Sequence, residues 1–331
     1  MTAFPQHRLR CLSLLSLTGA ACLLAAGAAQ AQSYPVRPPK LVVPFVAGGI
    51  SDFIGRVVAE SVQEPLGAAM LIENRAGAGG NVGMDFVAKS APDGYTLGLA
   101  TVGLASNSAL QSRMPFDALK DFTPVIGIGS IPSVIVVHPA LPVKTVSEFI
   151  ALAKKHPGEL AYGSSGLGTG SHLVVELFSA ATNIKLTHIP YKGTAQAIPD
   201  LLAGRIQFMF DFPTTAIQPI KAGRLKGLAV TSAKRSGALP DLPTVSEAGV
   251  KGFEFGTWAG VLAPSGLPPA IADKLTASLA KALENPATRN KLAQQAIEVQ
   301  VMQPQQFGTF IKTDIERWKH MVREGRLAML D

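Results

Sequence analysis

The segment LVVPFVAGGISDFIGRVVAES, residues 41–61, decides the fold, because a short apolar run passes through a glycine pair directly into an amphipathic pattern. Leu41 to Phe45 has the composition of a buried strand, and the apolar positions after Asp52 recur at helical spacing. A strand that enters a helix through a tight turn is typical of an α/β fold. Gly48-Gly49 is therefore expected at the carboxyl end of a strand and the amino end of a helix.

The rest of the chain repeats this alternation. From residue 40 to residue 231, β-rich apolar runs alternate with helical patterns, which predicts an α/β fold with mainly parallel sheets flanked by helices. Pro268 to Leu283, Ala287 to Gln295 and Pro304 to Met329 are helical in pattern, with proline or small polar residues near their starts. We expect these C-terminal helices to cover a sheet that the earlier strands have built.

The length of the chain favours two domains, because about 300 residues exceed what one hydrophobic core usually covers. No glycine-serine linker separates two halves, so the chain is expected to cross between domains on strands, with Ser133 to Val137 and Thr257 to Leu262 as candidates. The predicted domains are residues 32–135 with 257–331, and an inserted domain of residues 136–256. A ligand cleft is expected between them.

The first 31 residues have the composition of a secretion signal. Arg8 and Arg10 precede an apolar run from Leu12, and Ala29-Gln30-Ala31 closes the stretch. Small residues end the run, and no later segment approaches the roughly 20 apolar residues that a membrane span requires. We expect export to the periplasm with cleavage near Ala31, in preference to a lipid anchor on Cys22.

Export leaves a chain without thiols and with little charge. Cys11 and Cys22 both lie inside the predicted signal, so the mature chain would form no disulfide. Removing Arg8 and Arg10 lowers the net charge from +7 to +5. The remaining basic residues are scattered without aromatic interleaving, which argues against nucleic-acid binding. Such a diffuse charge would at most help to attract anions.

A second glycine-rich turn, within Leu160 to His172, again joins a strand to an amphipathic helix. The first N–H groups of a helix have no partner inside the helix, and the helix dipole adds partial positive charge there. Glycine lets an oxyanion approach these N–H groups closely, so a carboxylate or a phosphate is the expected guest. If each domain contributes one turn, the two turns would hold two ends of a small molecule.

Each turn also has a structural explanation, because glycine commonly lets a strand reverse into its crossover helix. Asp52 is explained as a residue that satisfies N–H groups of the first helical turn, and Thr169 or Ser171 as a cap. Asp211, at a predicted strand end, either accepts a hydrogen bond from ligand or water or caps a turn. The presence of both turns in one exported chain is what favours a ligand site.

Patterns for catalysis and for cofactors are not met. Two glycine clusters miss the spacing of the dinucleotide fingerprint, and no Walker A sequence occurs, so no cofactor is expected. No G-x-S-x-G elbow forms at Ser165, and the histidines lack metal-binding spacing. A serine hydrolase that pairs Ser165 or Ser171 with His172 or His188 is kept as an alternative from another class.

Several long motifs match one family in the right order. They are Tyr34-Pro35, Leu41 to Phe45 with Gly48-Gly49 and Asp52, Glu73 to Asn81, Ala91 to Leu97, Tyr162 to Leu173, Pro190 to Gly193, Phe210-Asp211 and Leu228 to Ser232. On these motifs, essentially the whole mature chain closely resembles the periplasmic solute receptors of tripartite tricarboxylate transporters, also called Bug-type receptors.

The resemblance implies a two-domain periplasmic binding protein of the Venus flytrap type, with the ligand between the domains. It implies capture of a small carboxylate, such as a dicarboxylate, a tricarboxylate, an acidic amino acid or an aromatic acid, and delivery to membrane subunits of a tripartite tricarboxylate-type transporter. We expect a monomer without cofactor, metal or catalytic residues. A sensory co-receptor that presents the same closed form to a signalling partner is the nearest alternative.

By position, the resemblance implies one carboxylate grip within Phe45 to Asp52 and an opposing grip within Ser164 to His172, with Thr101 and Asp211 at the border of the pocket. The candidate ligand-binding residues are Phe45, Ala47, Gly48, Gly49, Ser51, Asp52, Thr101, Ser164, Ser165, Gly168, Thr169, Ser171, His172 and Asp211.

Two positions depart from the family pattern. Val46-Ala47 stands where a proline pair usually precedes the glycines, so this turn is expected to be less rigid. Asp211 to Thr215 reads D-F-P-T-T, where the pattern usually resembles D-N-L-P-S. If the usual asparagine contacts ligand, Phe212 replaces an amide with an apolar wall, which would favour a less polar or aromatic acid. Packing of Phe212 into the domain core is the alternative.

Overall fold

The computed structural model describes residues 34–330. The predicted signal peptide, with Cys11, Cys22 and the cleavage position near Ala31, lies outside the described residues. No helix within the described range combines the length and the apolar character needed to cross a membrane.

The strands of residues 34–330 form two separate sheets. In chain order they are β1 (Lys40–Val43), β2 (Leu71–Asn74), β3 (Thr96–Thr101), β4 (Phe122–Pro132), β5 (Val134–Val137), β6 (Ala161–Ser164), β7 (Thr187–Pro190), β8 (Phe208–Asp211), β9 (Lys226–Val230), β10 (Gly256–Pro264) and β11 (Glu298–Met302). Sheet 1 has the strand order β11-β4-β10-β3-β1-β2, and sheet 2 has the order β7-β6-β8-β5-β9. We call sheet 1 with its flanking helices lobe 1, and sheet 2 with its flanking helices lobe 2.

Helices flank both sheets. Those of lobe 1 are α1 (Ile50–Leu66), α2 (Asn81–Ala88), α3 (Val102–Leu110), α8 (Pro269–Glu284), α9 (Pro286–Ala293) and α10 (Pro304–Arg323). Those of lobe 2 are α4 (Val146–Lys155), α5 (Gly170–Thr182), α6 (Thr194–Leu202) and α7 (Pro213–Lys221). As the sequence predicts, the C-terminal helices cover sheet 1, with α8 against α1 and α10 against α3 and β4.

The predicted α/β class is confirmed, but both sheets are mixed, so the expectation of mainly parallel sheets is corrected. In sheet 1, β1 is parallel to β2 and β3, whereas β10 is antiparallel to β3 and β4. In sheet 2, β6 is parallel to β7 and β8, whereas β5 is antiparallel to β8 and β9. The reason is that β4, β5 and β10 carry the chain between sheets, and no crossover helix immediately precedes β5 or β10 to align them in parallel.

The two passages between the sheets lie side by side. Ser133 alone separates β4 from β5, and residues 231–255 lead from β9 back to β10. The Ser133 N–H donates to Thr231 Oγ1 over 2.8 Å, and the Thr231 hydroxyl donates to Phe255 O over 2.7 Å. These hydrogen bonds tie the two passages together. The domain boundaries at 135/136 and 256/257 remain predictions from the sequence.

A buried carboxylate fixes α10 onto sheet 1. Asp314 Oδ2 accepts the indole N–H of Trp258 on β10 over 2.8 Å and that of Trp318 over 3.2 Å. Arg317 donates to the other oxygen over 2.7 Å. Asp314 is only 4% exposed, so the two indole N–H groups depend on it as their acceptor.

We expect Asp314→Ala to lower the free energy of unfolding by about 2–4 kcal/mol, because two buried indole donors would lose their acceptor. Denaturant-induced unfolding followed by tryptophan fluorescence measures the loss. Asp273→Ala, at an exposed position of α8, is the control and should remain close to wild type. Equal losses in the two variants would contradict this account.

Candidate functional site

The amino ends of five helices meet at one cavity. The residue that precedes each helix lines the cavity: Gly49 before α1, Thr101 before α3, Thr169 before α5, Gly193 before α6 and Phe212 before α7. The first two helices belong to lobe 1 and the other three to lobe 2. The cavity is therefore bounded by the two lobes, and helix ends reach it from both sides.

None of these five preceding residues, all within the described chain, caps its helix through a side-chain hydrogen bond. Among the helices away from the cavity, Thr145 caps α4, Asn285 caps α9 and Gln303 forms a capping box with α10, whereas Gly80 before α2 and Pro268 before α8 provide no side-chain cap. Uncapped N–H groups at a helix end keep their donor capacity and the positive end of the helix dipole. The cavity wall thus carries partial positive charge from five helix ends, and backbone donors from those that do not begin with proline, as α7 does at Pro213.

The side chains of the wall are hydroxylic or apolar. The hydroxyl groups belong to Ser51, Thr101, Ser165, Thr169, Thr194 and Thr257, and the apolar side chains to Phe45, Val46, Ile50, Ile131 and Phe212. Among the described residues, no Asp, Glu, Lys, Arg or His lines this cavity. An anion held here would be neutralised by backbone dipoles and hydrogen bonds alone.

The predicted site residues fall into two groups, those that line the cavity and those that lie around it. Those that line the cavity are Phe45, Gly49, Ser51, Thr101, Ser165 and Thr169. Those that lie around it without lining it are Ala47, Gly48, Asp52, Ser164, Gly168, Ser171, His172 and Asp211. The second group includes every ionisable side chain of the predicted set, so these groups act on the turns that surround the cavity.

Asp52 braces the first glycine turn from behind. Its carboxylate accepts the Gly48 N–H over 3.0 Å, Arg56 Nε over 2.9 Å and Asn74 Nδ2 over 3.0 Å. Burial opposes ionisation of Asp52, but the hydrogen bonds from Arg56, Gly48 and Asn74 outweigh it and hold the pKa of this carboxyl below its ordinary value. The charged form of Asp52 therefore fixes the turn that presents Gly49 to the cavity.

Hydroxyl groups hold the second turn, residues 164–170. Ser171 Oγ accepts the Ser165 N–H over 2.9 Å and lies 2.8 Å from Ser165 Oγ. The Thr169 hydroxyl donates to Gly166 O over 2.6 Å. Ser165 and Ser171 hydrogen-bond to each other and not to a histidine, so the pairing that a serine hydrolase would need is not formed by these described residues.

Two imidazoles support the same turn from inside lobe 2. The Gly168 N–H donates to His172 Nδ1 over 3.3 Å, and Ser164 Oγ, which is fully buried, lies 2.6 Å from His188 Nε2. The two rings pack with centroids 4.4 Å apart. Burial lowers the pKa of each histidine to about 4, so both are neutral at pH 7. His172 needs this neutral form to accept from Gly168.

The glycine turns touch the opposite lobe directly. The Ser106 hydroxyl on α3 donates to Gly168 O over 2.6 Å. A Cβ atom at Gly168 would fall 1.7 Å from Asn107 Oδ1, and one at Gly193 would fall 2.6 Å from Val46 Cγ2. The lobes are closed on one another here, and this approach depends on positions that have no side chain.

A ring of three amides holds Asn107 at this contact. Asn107 Nδ2 donates to Asn81 Oδ1 over 3.0 Å, Asn81 Nδ2 to Gln111 Oε1 over 3.0 Å, and Gln111 Nε2 to Asn107 Oδ1 over 3.2 Å. Each amide is both donor and acceptor, so the ring orients all three side chains. Asn107 is thereby fixed against the backbone of Gly168.

Asp211 lies behind the wall, at the end of β8. It is fully buried, its Oδ1 accepts the Thr215 hydroxyl over 2.8 Å, and its Oδ2 has no hydrogen-bond partner among the described residues. Burial raises the pKa of Asp211 to about 7, against the smaller opposing effects of the Thr215 hydroxyl, the Phe212 N–H and the Thr194 hydroxyl. This carboxyl supports the start of α7 and does not itself line the cavity.

Sequence reasoning missed about half of the wall, namely Val46, Ile50, Ile131, Gly170, Gly193, Thr194 and Thr257. A signal was present for Gly193-Thr194, because this pair precedes a helix just as Gly48-Gly49 does. Ile131 and Thr257 are paired across β4 and β10 in sheet 1. Their position depends on the pairing of distant strands, which leaves no local signal.

Known proteins share this architecture. Residues 54–327 match the family model described as the tripartite tricarboxylate transporter family receptor. The structure of periplasmic binding protein BugD is 36% identical, with a TM-score of 0.84 over 88% of this chain and 98% of that one.

Two further solved structures contain a ligand. Rpa4515 of R. palustris with adipate is 38% identical, with a TM-score of 0.84 over 88% of this chain and 97% of that one. MatC of Rhodopseudomonas palustris with bound malate is 32% identical, with a TM-score of 0.82 over 87% of this chain and all (100%) of that one. The predicted two-domain periplasmic binding protein fold is confirmed.

Asp211→Asn tests the buried carboxyl. Because folding raises the pKa of Asp211 to about 7, the folded state retains, between about pH 4 and pH 7, a proton that the unfolded state has released. The stability contributed by this protonated form is lost as the pH rises through that window, and asparagine cannot ionise. Relative to wild type, the variant should be more stable near pH 8 than near pH 4, by a difference on the order of a few kcal/mol.

Denaturant unfolding of both proteins at the two pH values measures this difference. His172 and His188 are present in both proteins, so their opposite pH dependence cancels in the comparison. A stability difference that stays constant with pH would show that the Asp211 carboxyl is not held in its neutral form.

Proposed function

Because this chain belongs to the family of tripartite tricarboxylate transporter receptors, we propose that it captures a small carboxylate between its lobes and delivers it to a transporter of that type. Members of this family are periplasmic solute-binding receptors and not enzymes. The proposed ligand range comprises dicarboxylates, tricarboxylates, acidic amino acids and aromatic acids. The membrane subunits of the transporter are the proposed partner.

The single observation that carries this proposal is the meeting of five uncapped helix ends at a cavity without a charged side chain. A helix amino end stabilises a nearby negative charge by about 0.3–1 kcal/mol at the surface and by up to about 2 kcal/mol when partly buried. A carboxylate offers enough lone pairs for several N–H and hydroxyl donors at once. It can therefore be held without arginine or lysine.

The ligands of two relatives support the same class. The structure of Rpa4515 contains adipate and that of MatC contains malate, and both molecules are carboxylates. We assign direct ligand contact to the wall residues Phe45, Gly49, Ser51, Thr101, Ser165 and Thr169. To the other predicted residues we assign support of the two turns.

Closure of the lobes is the proposed signal that a ligand is bound. A ligand that contacts wall residues of both lobes binds the closed form better than the open form, and so shifts the population toward closure. The contacts of Gly168 with Ser106 and Asn107 exist only while the lobes are together. The closed surface is what a transporter subunit would recognise.

We propose export to the periplasm through residues 1–31, cleavage near Ala31, and action as a monomer. The proposed domains are residues 32–135 with 257–331, and residues 136–256. The predicted signal composition supports the export, and the separation of residues 134–230 into a sheet of their own supports the division.

Native mass spectrometry of the gently purified protein, followed by calorimetric titration with aliphatic, amino and aromatic carboxylates, tests the proposal. We expect one carboxylate to bind per chain, and neutral sugars of similar size not to bind. Absence of binding across the whole carboxylate panel, or tight binding of a neutral sugar, would overturn the proposed function.

Gly168→Ala tests the role of closure. The added Cβ would meet Asn107 Oδ1, so closure would require Asn107 to leave its amide ring. We expect affinity for whichever panel carboxylate binds wild type to fall at least about tenfold, which corresponds to roughly 1.4 kcal/mol.

Gly223→Ala is the matched control for this variant. The φ angles of Gly168 and Gly223 are +70° and +67°, so the two alanines carry similar backbone strain, but nothing lies within 4 Å of a Cβ at Gly223. We expect the control to keep the wild-type affinity. Equal affinities of the two variants would contradict the role of the Gly168 contact.

A further inference from the structure

We infer that a groove behind the strands that join the two lobes binds an acidic, apolar peptide segment of a protein partner, and that its occupation favours the closed form. We call this surface the back groove. It lies between α10 and β11 of lobe 1 on one side and α5 with residues 250–255 on the other. The inference rests on the proposed function, because it gives the membrane subunits of the transporter a surface by which to distinguish the closed form.

The back groove and the ligand cavity lie on opposite faces of β4 and β10. Ile131 and Thr257 are paired across these strands and line the cavity. The adjacent pair, Ser130 and Trp258, lines the back groove, and Thr257 borders both spaces. Successive side chains of a strand point to opposite faces of its sheet. The two strands that lead into the passages between the lobes therefore separate the cavity from the back groove.

This position couples the back groove to closure. Lobe 1 forms one wall with α10 and β11, and α5 of lobe 2 forms the opposite wall. A rotation about the strands between them that separates the lobes at the cavity brings the walls of the back groove together. The groove is therefore wider in the closed form than in the open form. A molecule that fills it opposes opening and shifts the population toward closure.

The back groove is elongated. Phe310, Arg317 and Met321 line it, and their i, i+7, i+11 spacing places them on one face of α10. Phe310 and Met321 are about three helical turns apart, which is about 16 Å along the helix. An extended segment of about five residues covers that distance. The length of the groove therefore suits a peptide segment better than a small solute.

Apolar side chains in the back groove offer contacts to such a segment. Met302, Met321, Phe253 and Phe310 all line it and are partly exposed. The Phe310 ring stands edge-on to that of Trp258, with the centroids 5.6 Å apart. Methionine side chains adapt to the shape of a partner, and contiguous apolar surface of this kind commonly marks an interaction site. Leucine or phenylalanine side chains of a partner would bury this surface.

The back groove carries more positive than negative charge. Among the described residues that line it, Glu254 is acidic, and three are basic: Lys251, Arg317 and Arg326. Arg317 donates to Asp314 over 2.7 Å, yet 49% of its side chain is exposed, and a guanidinium has further N–H donors. Arg326 lies 3.7 Å from Glu324 and is 58% exposed. Carboxylate side chains on the partner segment complement this charge.

Ala181→Phe tests the coupling between the back groove and closure. Ala181 is exposed on α5 and lines the groove, so the added ring would collide with the opposite wall in the open form and fit in the closed form. We expect affinity for whichever panel carboxylate binds wild type to rise at least about fivefold in calorimetric titration. Ala180→Phe, one residue away, exposed and outside the groove lining, is the matched control and should keep the wild-type affinity.

Two synthetic peptides test the occupant. They are acetyl-LDFEL-amide and acetyl-LKFKL-amide, which differ only in that lysines replace both acids. Saturation with the acidic peptide should raise the affinity for the same carboxylate at least about fivefold, and the carboxylate should strengthen peptide binding by the same factor. The lysine peptide should have no effect. A fall in carboxylate affinity would show that the acidic peptide enters the cavity and would overturn the inference.

Charge reversal tests where the peptide binds. Lys251→Glu removes a positive charge from the back groove, so we expect binding of the acidic peptide to weaken at least about fivefold while affinity for the carboxylate alone stays at the wild-type value. Lys281→Glu, at an exposed position of α8 outside the groove, is the control and should bind the peptide as wild type does. Equal peptide affinities of the two variants would overturn the assignment to the back groove.

The outcomes separate the inference from the function on which it rests. Carboxylate binding that neither Ala181→Phe nor the acidic peptide changes would overturn the inference and leave a carboxylate receptor. A dimer in native mass spectrometry that Lys251→Glu dissociates would show that a second copy of this chain occupies the groove, and would overturn the assignment to a partner segment. Absence of binding by the whole carboxylate panel would overturn the proposed function itself.

Discussion

The structure depends on one arrangement, the meeting of five helix amino ends at a single cavity. N–H groups at a helix end need acceptors, and at three other helices of the described chain Thr145, Asn285 and Gln303 supply them as caps. At the cavity the preceding residues provide no cap, so acceptors must come from outside the helices. A small anion would satisfy this need, and for this reason we propose that the receptor holds a carboxylate without a charged side chain in its wall.

The supporting groups around the cavity follow from this arrangement. Backbone donors select an anion only if the turns that carry them are rigid, and each turn is fixed by buried groups that do not touch the cavity. Asp52 holds the first turn through Gly48, and His172 holds the second through Gly168. Asp52 acts in its ionised form, in which the carboxylate accepts three hydrogen-bond donors. His172 acts in its neutral form, in which Nδ1 keeps a lone pair for the Gly168 N–H.

The two principal glycine turns could be predicted from sequence because their signals are local. Gly48-Gly49 and the turn of residues 164–170 each lie between a short apolar run and a 3.6-residue periodicity. The sequence does not predict α3, because this helix is buried almost throughout and lacks an amphipathic period. It does not predict α7 either, because this helix begins at Pro213 and contains Pro219. Of the wall residues that were missed, Ile131 and Thr257 lie on β4 and β10, whose positions depend on long-range pairing.

The measurement that tests the central claim most directly compares an acid with its uncharged amide at the same cavity. Adipate with adipamide, and 3-phenylpropanoate with 3-phenylpropanamide, match closely in size, while the amide replaces an anionic acceptor with N–H donors that would face the donors of the helix ends. The account predicts that calorimetric titration detects binding of at least one acid and that its amide binds far more weakly. An amide that binds as tightly as its acid would contradict the account, because the helix ends would then not be what holds the ligand.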